Sequence, residues 1–200
     1  MTRVLITGGA GFIGSNLVQE LHAKGYDSVV LDSLSPQIHG EDPMASIMDR
    51  GVIAEELANT DIVVHYAAET GTGQSMYNVH DYCNVNIGGT SLMLDLLGEM
   101  KHTVRRMIVA SSRSIYGEGA YQDSAGVDIY PGARVDADML AGKFEPLDPN
   151  TGAAYTLCPT DEASKIHPSS VYGITKQVQE QLVMTVCPTL GIEPVALRYQ

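Results

Sequence analysis

Tyr172 and Lys176 stand four residues apart in Ser-Val-Tyr-Gly-Ile-Thr-Lys, residues 170–176. On a helix that spacing puts both side chains on one face. An ammonium beside a phenol stabilises the phenolate, so the tyrosine pKa is expected to fall from about 10. A tyrosine tuned in this way can move a proton near neutral pH. A second hydroxyl comes from Ala-Ser-Ser-Arg-Ser-Ile-Tyr-Gly, residues 110–117. Ser112 could hydrogen-bond a substrate oxygen and relay its proton to Tyr172. Each motif also has a plain reading, a surface i,i+4 pair or a serine-rich loop start.

A third motif weighs against the plain readings. Thr-Gly-Gly-Ala-Gly-Phe-Ile-Gly, residues 7–14, places Gly8, Gly11 and Gly14 at three-residue intervals between a strand-like run and a helix-like run. Glycines in that context allow a tight turn, let the backbone approach a pyrophosphate and let the helix pack closely on the strand. The helix N-terminus then offers N–H groups and a partial positive charge to phosphate. Asp32 follows about 20 residues after the turn, where a carboxylate accepts the ribose hydroxyls of NAD. It would repel the 2′-phosphate of NADP. The bland alternative for Asp32 is an ordinary strand-end or capping aspartate.

The elements that must position these groups alternate between β-branched runs and amphipathic stretches. Strands are expected at 3–7, 28–32, 61–67, 106–111 and 194–198. Helices are expected at 12–24, 86–100 and 172–187. In the first, Ile13, Leu17 and Leu21 line one face; in the second, Leu92, Met93, Leu96 and Leu97 do so. This is the pattern of an α/β fold, a doubly wound Rossmann-type parallel sheet. The serine motif then falls at the carboxyl edge of a strand, where such sheets bind ligands. Residues 33–50 and 117–169 lack periodicity and are expected to be loops, the second an insertion of functional length.

Composition narrows the partners. The net charge is −12 and there is no basic run, so nucleic-acid binding is not expected. A local helix N-terminus can still hold a phosphate within an acidic protein. Mean hydropathy is −0.02. No apolar run is long enough for a membrane span, and no charged-then-apolar leader opens the chain. Cys83, Cys158 and Cys187 form no C-x-x-C pair and read as reduced thiols in a cytoplasmic protein. His65 and His167 could be metal ligands or satisfied structural histidines. With only Cys158 in the insertion, no metal site is expected.

Together these residues resemble the extended short-chain dehydrogenase/reductase family, in its NAD-dependent sugar-nucleotide epimerase/dehydratase branch. The matching pieces are residues 7–17, 31–35, 61–70, 85–90, 110–117 and 170–176, in family order. The resemblance implies Tyr172 as catalytic base, Lys176 as its pKa partner and ribose ligand, and Ser112 as the substrate-aligning hydroxyl. It implies cofactor contacts from Phe12 and Ile13 at the pyrophosphate and Asp32 and Ser33 at the adenosine ribose. Tyr66, Ala67, Ala68 and Thr70 would line the nicotinamide side, with Val85, Asn86 and Ser111 also near the cofactor. Packing is the plain alternative for Ala67 and Ala68, and a helix cap for Asn86. Thr70, Ser112, Arg113 and Tyr172 would face substrate.

Related 4,6-dehydratases carry an Asp-Glu pair directly after the active-site hydroxyl, where this chain has Arg113 and Ser114. Epimerisation is therefore the better reading than dehydration. Within the branch, residues 69–77, 111–119 and 195–200 look most like proteins related to dTDP-L-rhamnose 4-epimerase. The implied activity is inversion at C4 of a nucleotide sugar through a 4-keto intermediate, on a dTDP-6-deoxyhexose such as dTDP-L-rhamnose. The alternatives are a UDP-hexose 4-epimerase, a nucleotide-sugar dehydrogenase or reductase, and a non-catalytic NAD-binding protein. The resemblance also implies a homodimer built on helices 86–100 and 172–187. The same apolar faces could instead pack on the sheet.

Two departures accompany the resemblance. Residues 33–64 are short for the helix, strand and helix expected there. Residues 46–49 could be a remnant of that strand, with Ser46 where an acid is expected. Residues 1–200 read as the NAD-binding domain of a longer protein whose C-terminal substrate-binding part would follow Gln200.

Overall fold

The computed structural model describes residues 1–34 and 45–200. Five strands form one all-parallel sheet: β1 (Arg3–Thr7), β2 (Asp27–Leu31), β3 (Ile62–His65), β4 (Arg106–Ser112) and, last in the chain, Glu193–Tyr199. Their order is β2-β1-β3-β4 followed by the Glu193–Tyr199 strand. The chain runs outward from β1 to β2, then returns past β1 to β3. That reversal opens a crevice at the carboxyl ends of β1 and β3, the usual ligand site of such sheets. The register is continuous, with Thr7 opposite both Leu31 and His65.

Alternation along the strands separates two packed faces. Val4, Ile6 and Val64 face helix α1 (Phe12–Ala23), meeting Leu17, Val18 and Leu21. Leu5, Val63, Met107 and Val109 face the opposite layer. That layer contains α2 (Arg50–Leu57), the helix Gly89–Glu99 and the helix Val171–Val186. Ile53, Leu57, Met93, Leu97 and Val183 are fully or almost fully buried there. The strands carry apolar residues on both faces because helices cover both. Lys24 and Gly25 end α1, with Gly25 at φ +76°, a left-handed stop.

Two expectations change here. Residues 46–49 are a turn, not a strand remnant. The Ser46 hydroxyl accepts from Met48 N at 3.1 Å, and Ile47 is buried against Gly89, where a Cβ would stand 2.5 Å from Ile47 Cδ1. A single buried isoleucine plugs the helix layer in place of a strand. Among the described residues β2 is therefore the edge of the sheet; residues 35–44 of the loop expected at 33–50 lie outside them. Second, the 117–169 stretch has structure of its own. Strands β5 (Tyr121–Gln122), β6 (Asp128–Ile129) and β7 (Thr156–Leu157) form an antiparallel sheet in the order β6-β5-β7. A five-residue helix, Asp136–Leu140, lies between them. Two-residue strands carry no readable period, so composition alone suggested a loop. The remaining strand, Glu193–Tyr199, is β8.

Between β3 and β4 the chain forms short helical turns at Thr72–Ser75 and Val79–Tyr82, then a π-helical turn at Cys83–Gly88 that runs into α3 (Gly89–Glu99). The helix expected from residue 86 thus starts as a π segment, which widens the backbone around Asn86. With Asp136–Leu140 as α4, the Tyr-Lys helix is α5 (Val171–Val186).

Candidate functional site

The first wall of the crevice is the glycine turn. Gly8 has φ +72°, and a Cβ there would lie 2.6 Å from Ala67 N. A Cβ on Gly14 would lie 2.4 Å from Gly8 O. Side chains at either position would collide with backbone, so glycine is required for the β1 turn, the β3 end and α1 to meet. Gly8 N donates to Leu31 O at 2.8 Å. Gly11 is the N-cap of α1 and brings no side chain to its first N–H groups, at Phe12, Ile13 and Gly14. Phe12 is 88% exposed and Ile13 47%, so backbone, not packing, is what these two bring to the crevice. This cradle fits the pyrophosphate of a dinucleotide.

Asp32 ends β2 beside the turn. Its Oδ2 accepts from Ala10 N and its Oδ1 from Leu34 N, both at 2.9 Å. The carboxylate thus ties the glycine turn to the residues after β2. Each oxygen keeps a lone pair for a ribose hydroxyl, so the structural role and the cofactor role are compatible. Ser33 follows, half-buried.

The second wall carries the proton-transfer groups. Ser112 is the last residue of β4, and its hydroxyl accepts from Ser114 N at 3.1 Å, capping the 3-10 turn Arg113–Tyr116. Because that oxygen accepts there, its hydrogen remains to donate. Ser111 is buried with its hydroxyl beside Glu180. Arg113 is exposed. Helix α5 starts against this turn: a Cβ on Gly173 would lie 2.5 Å from Ser114 O. Gly173 therefore lets Tyr172 come up to Ser112. Ser170 caps α5 by accepting from Gly173 N at 3.0 Å, and Ser75 Oγ accepts from Tyr172 N at 3.0 Å.

The electrostatics of this pair differ from the sequence expectation. Burial raises the Tyr172 pKa above the usual phenol value, and the hydrogen bond with Ser112 offsets this only in part. Lys176 is 3% exposed, and burial lowers its pKa to about 8. Its Nζ donates to Ala110 O at 3.1 Å and lies 5.9 Å from the Tyr172 ring centroid. Desolvation outweighs the Ser112 bond, so burial favours the phenol form of Tyr172.

The floor between the walls is a set of buried polar knots. Asn86 is fully buried: Oδ1 accepts from Glu69 N at 2.8 Å, and Nδ2 donates to Glu69 O at 3.1 Å and Thr175 Oγ1 at 2.9 Å. It is not a helix cap; it clamps the loop after β3 to α5. Val85 packs on the core one residue earlier. Ala67 packs on the core as well, and its N–H donates to Thr7 Oγ1 at 3.2 Å. Ala68 is half-buried beside it, and Thr70 is exposed, its carbonyl accepting from Tyr82 OH. Tyr66 OH and Tyr199 OH are 2.8 Å apart, spanning the end of β4 between β3 and β8.

Several residues at the site gave no sequence signal. Tyr82 is 1% exposed and meets the Tyr172 ring edge-on at 6.4 Å. Arg198 donates to both Glu180 oxygens, and its Nη1 donates to Tyr116 OH at 2.6 Å. Glu180 is i+4 from Lys176, a spacing that could have suggested a shared face. His65 proves to be a structural histidine, fully hydrogen-bonded in the core. His167 lies by Gly117 and meets Tyr130 edge-on at 5.5 Å. Among the described residues no cluster of three metal-ligating side chains occurs, and no helix is long and apolar enough to cross a membrane. Cys83, Cys158 and Cys187 are free thiols.

Residues 4–133 match the NAD dependent epimerase/dehydratase family. The chain is 35% identical over 196 residues to dTDP-L-rhamnose 4-epimerase of Burkholderia thailandensis, a match covering 90% of this chain and 52% of the relative. Among solved structures, UDP-glucose 4-epimerase from Brucella ovis in complex with NAD gives a TM-score of 0.67 at 27% identity, over 100% of this chain and 52% of that one. The UDP-glucose-4-epimerase from Stenotrophomonas maltophila, with bound NAD and formylated UDP-arabinopyranose, gives 0.69 at 28%, over 100% and 53%. The chain thus spans about half the length of the relatives it matches.

Proposed function

The chain belongs to the NAD dependent epimerase/dehydratase family, and from that premise we propose that it is the NAD-binding and proton-transfer part of a nucleotide-sugar 4-epimerase. The observation that carries this reading is the meeting of Ser112 and Tyr172 at the carboxyl edge of the sheet, with Lys176 buried beneath the tyrosine ring. The glycine cradle at α1 and the carboxylate of Asp32 fit a dinucleotide without a 2′-phosphate. When bound, NAD supplies the acceptor and donor of hydride.

The protein's own part is to orient the sugar and carry the proton. Ser112, its oxygen already accepting from Ser114 N, donates to the C4 oxygen and holds it toward Tyr172. Tyr172 takes the C4 hydroxyl proton as the sugar is oxidised and returns it when C4 is reduced on the opposite face. Because burial raises its pKa, the phenol has to be drawn toward phenolate by positive charge in the loaded site, of which Lys176 is the residue this chain provides. Arg113 and Ser114 place no carboxylate after Ser112, which supports epimerisation over elimination of water.

For the substrate we favour a dTDP-6-deoxyhexose such as dTDP-L-rhamnose, supported by the Burkholderia relative. A UDP-hexose is the second reading, supported by the UDP-glucose 4-epimerase neighbours. A homodimer through α3 and α5 fits the exposure of Ile174 and Met184 on α5, 48% and 44%. A cytoplasmic setting fits the three free thiols. The deciding experiment incubates the full chain with dTDP- and UDP-sugars and follows C4 configuration by NMR. Interconversion without net NADH is the expected result; stoichiometric NADH accumulation would make the protein a dehydrogenase instead.

A further inference from the structure

His65 lies at the end of β3, fully buried, and is used by none of the steps above. Its Nδ1 is 2.7 Å from Thr7 Oγ1 and its Nε2 is 2.9 Å from Thr90 Oγ1. The two outer groups of this chain can act in one direction only. Ala67 N–H, which can only donate, gives its hydrogen to Thr7 Oγ1. The carbonyl of Asn86, which can only accept, takes the Thr90 hydroxyl hydrogen at 2.6 Å. Thr90 Oγ1 must then receive from His65 Nε2–H. It also receives from the Gln179 amide nitrogen at 2.8 Å, which fills both lone pairs; the same nitrogen stands 3.3 Å from His65 Nε2, a longer contact than the 2.9 Å one to Thr90, so Nε2 gives its hydrogen to Thr90. Thr7 has its own hydrogen to give to Nδ1. Every hydroxyl in the row accepts and donates, and the ring carries its single hydrogen on Nε2.

The row joins the parts that have to meet around the reacting sugar. Thr7 immediately precedes Gly8, and Ala67 touches the space a Gly8 Cβ would fill. Thr90 is the second residue of α3 and is bonded to Asn86, whose side chain reaches Thr175 one residue before Lys176. Gln179 is three residues after Lys176 on α5. We infer that His65 is a positioning residue: in one neutral tautomer it links the nicotinamide-side loop at residues 66–70 to the Tyr172–Lys176 helix. This rests on the proposed epimerase reading for its catalytic consequence, but not for the state of the ring. Burial and the nearby Lys176 charge also hold His65 neutral, lowering its pKa to about 3.

The test uses ring 15N–1H NMR on the full chain, with His65→Gln to assign the signal, together with NAD titration and kinetics. A neutral ring protonated on Nε2, unchanged between about pH 5 and 8, is expected. A ring protonated on Nδ1, or an imidazolium in that range, overturns the inference even if the protein has no epimerase activity. In kinetics, His65→Leu should lower kcat by about 10²-fold, the cost of roughly 1 Å of misplacement, with the sugar KM little changed. His65→Gln, which keeps a donor for Thr90, should recover most of the loss. Equal kcat in His65→Leu and wild type would also overturn it. If the leucine variant fails to fold, the glutamine variant and the tautomer decide. An inactive wild type with the expected tautomer counts against the epimerase reading alone.

Discussion

Lys176 lies 5.9 Å from the centroid of the Tyr172 ring, and its ammonium is anchored on the carbonyl of Ala110. The lysine is thus tied to β4, the strand that ends in Ser112, and it holds α5 and the serine at one edge. Burial costs the ammonium, and its pKa falls to about 8 from 10.5. The unfolded chain therefore binds more protons between those values, so this group makes the fold more stable as pH rises through that window. Replacing Lys176 with Met should remove that upward slope, read from urea unfolding at a series of pH values.

Tyr172→Phe should leave fold and NAD binding intact and lower turnover by about 10²–10⁴-fold, the range of a lost general acid or base. The variant keeps the edge contact with Tyr82, so circular dichroism and thermal melting should match wild type within error. Comparable turnover in the variant would remove Tyr172 from its role.

Gly14→Ala places a methyl group 2.4 Å from Gly8 O. The turn and α1 must separate to accept it, which should cost about 1–3 kcal/mol of stability. NAD affinity should fall more than the melting point suggests, because the displaced N–H groups are the ones proposed to hold the pyrophosphate. Calorimetric titration beside a thermal melt separates the two effects.

Asp32→Ala removes the acceptor for Ala10 N and Leu34 N. It should weaken NAD binding and narrow the preference for NAD over NADP, since the repelling carboxylate is gone. Competition between the two dinucleotides on one sample checks this; an unchanged ratio would count against Asp32 as the ribose ligand.

His65 makes the fold sensitive to acid. Its folded pKa of about 3 lies below the ordinary 6.5, so the unfolded chain takes up the proton first. The stability is fully present above pH 6.5 and is lost as pH falls toward 3, a contribution on the order of 5 kcal/mol. His65→Gln should be less stable at neutral pH and should lose less on acidification. Parallel curves for the two proteins would refute this.

The order of parallel strands and covering helices was legible in the sequence, because strands buried on both faces read as apolar runs and the helices keep their 3.6-residue period. The glycine turn, Asp32, Ser112, Tyr172 and Lys176 were legible for a related reason. Their chemistry depends on residue type at short spacing, and the adjoining strand and helix set their direction. Tertiary structure alone decided how those groups behave. The sign of the Tyr172 shift depends on desolvation by neighbours such as Tyr82, which lies far from the Tyr-Lys motif along the chain. The link from Thr7 through His65 and Thr90 to Gln179 is made of bonds between residues 58, 25 and 89 positions apart, and no spacing rule reports a partner brought in by packing. The small sheet of residues 117–169 was hidden because two-residue strands leave no period to read. Local pattern determined which groups are present and on which elements; burial and long-range contact determined their protonation, their partners and their reach.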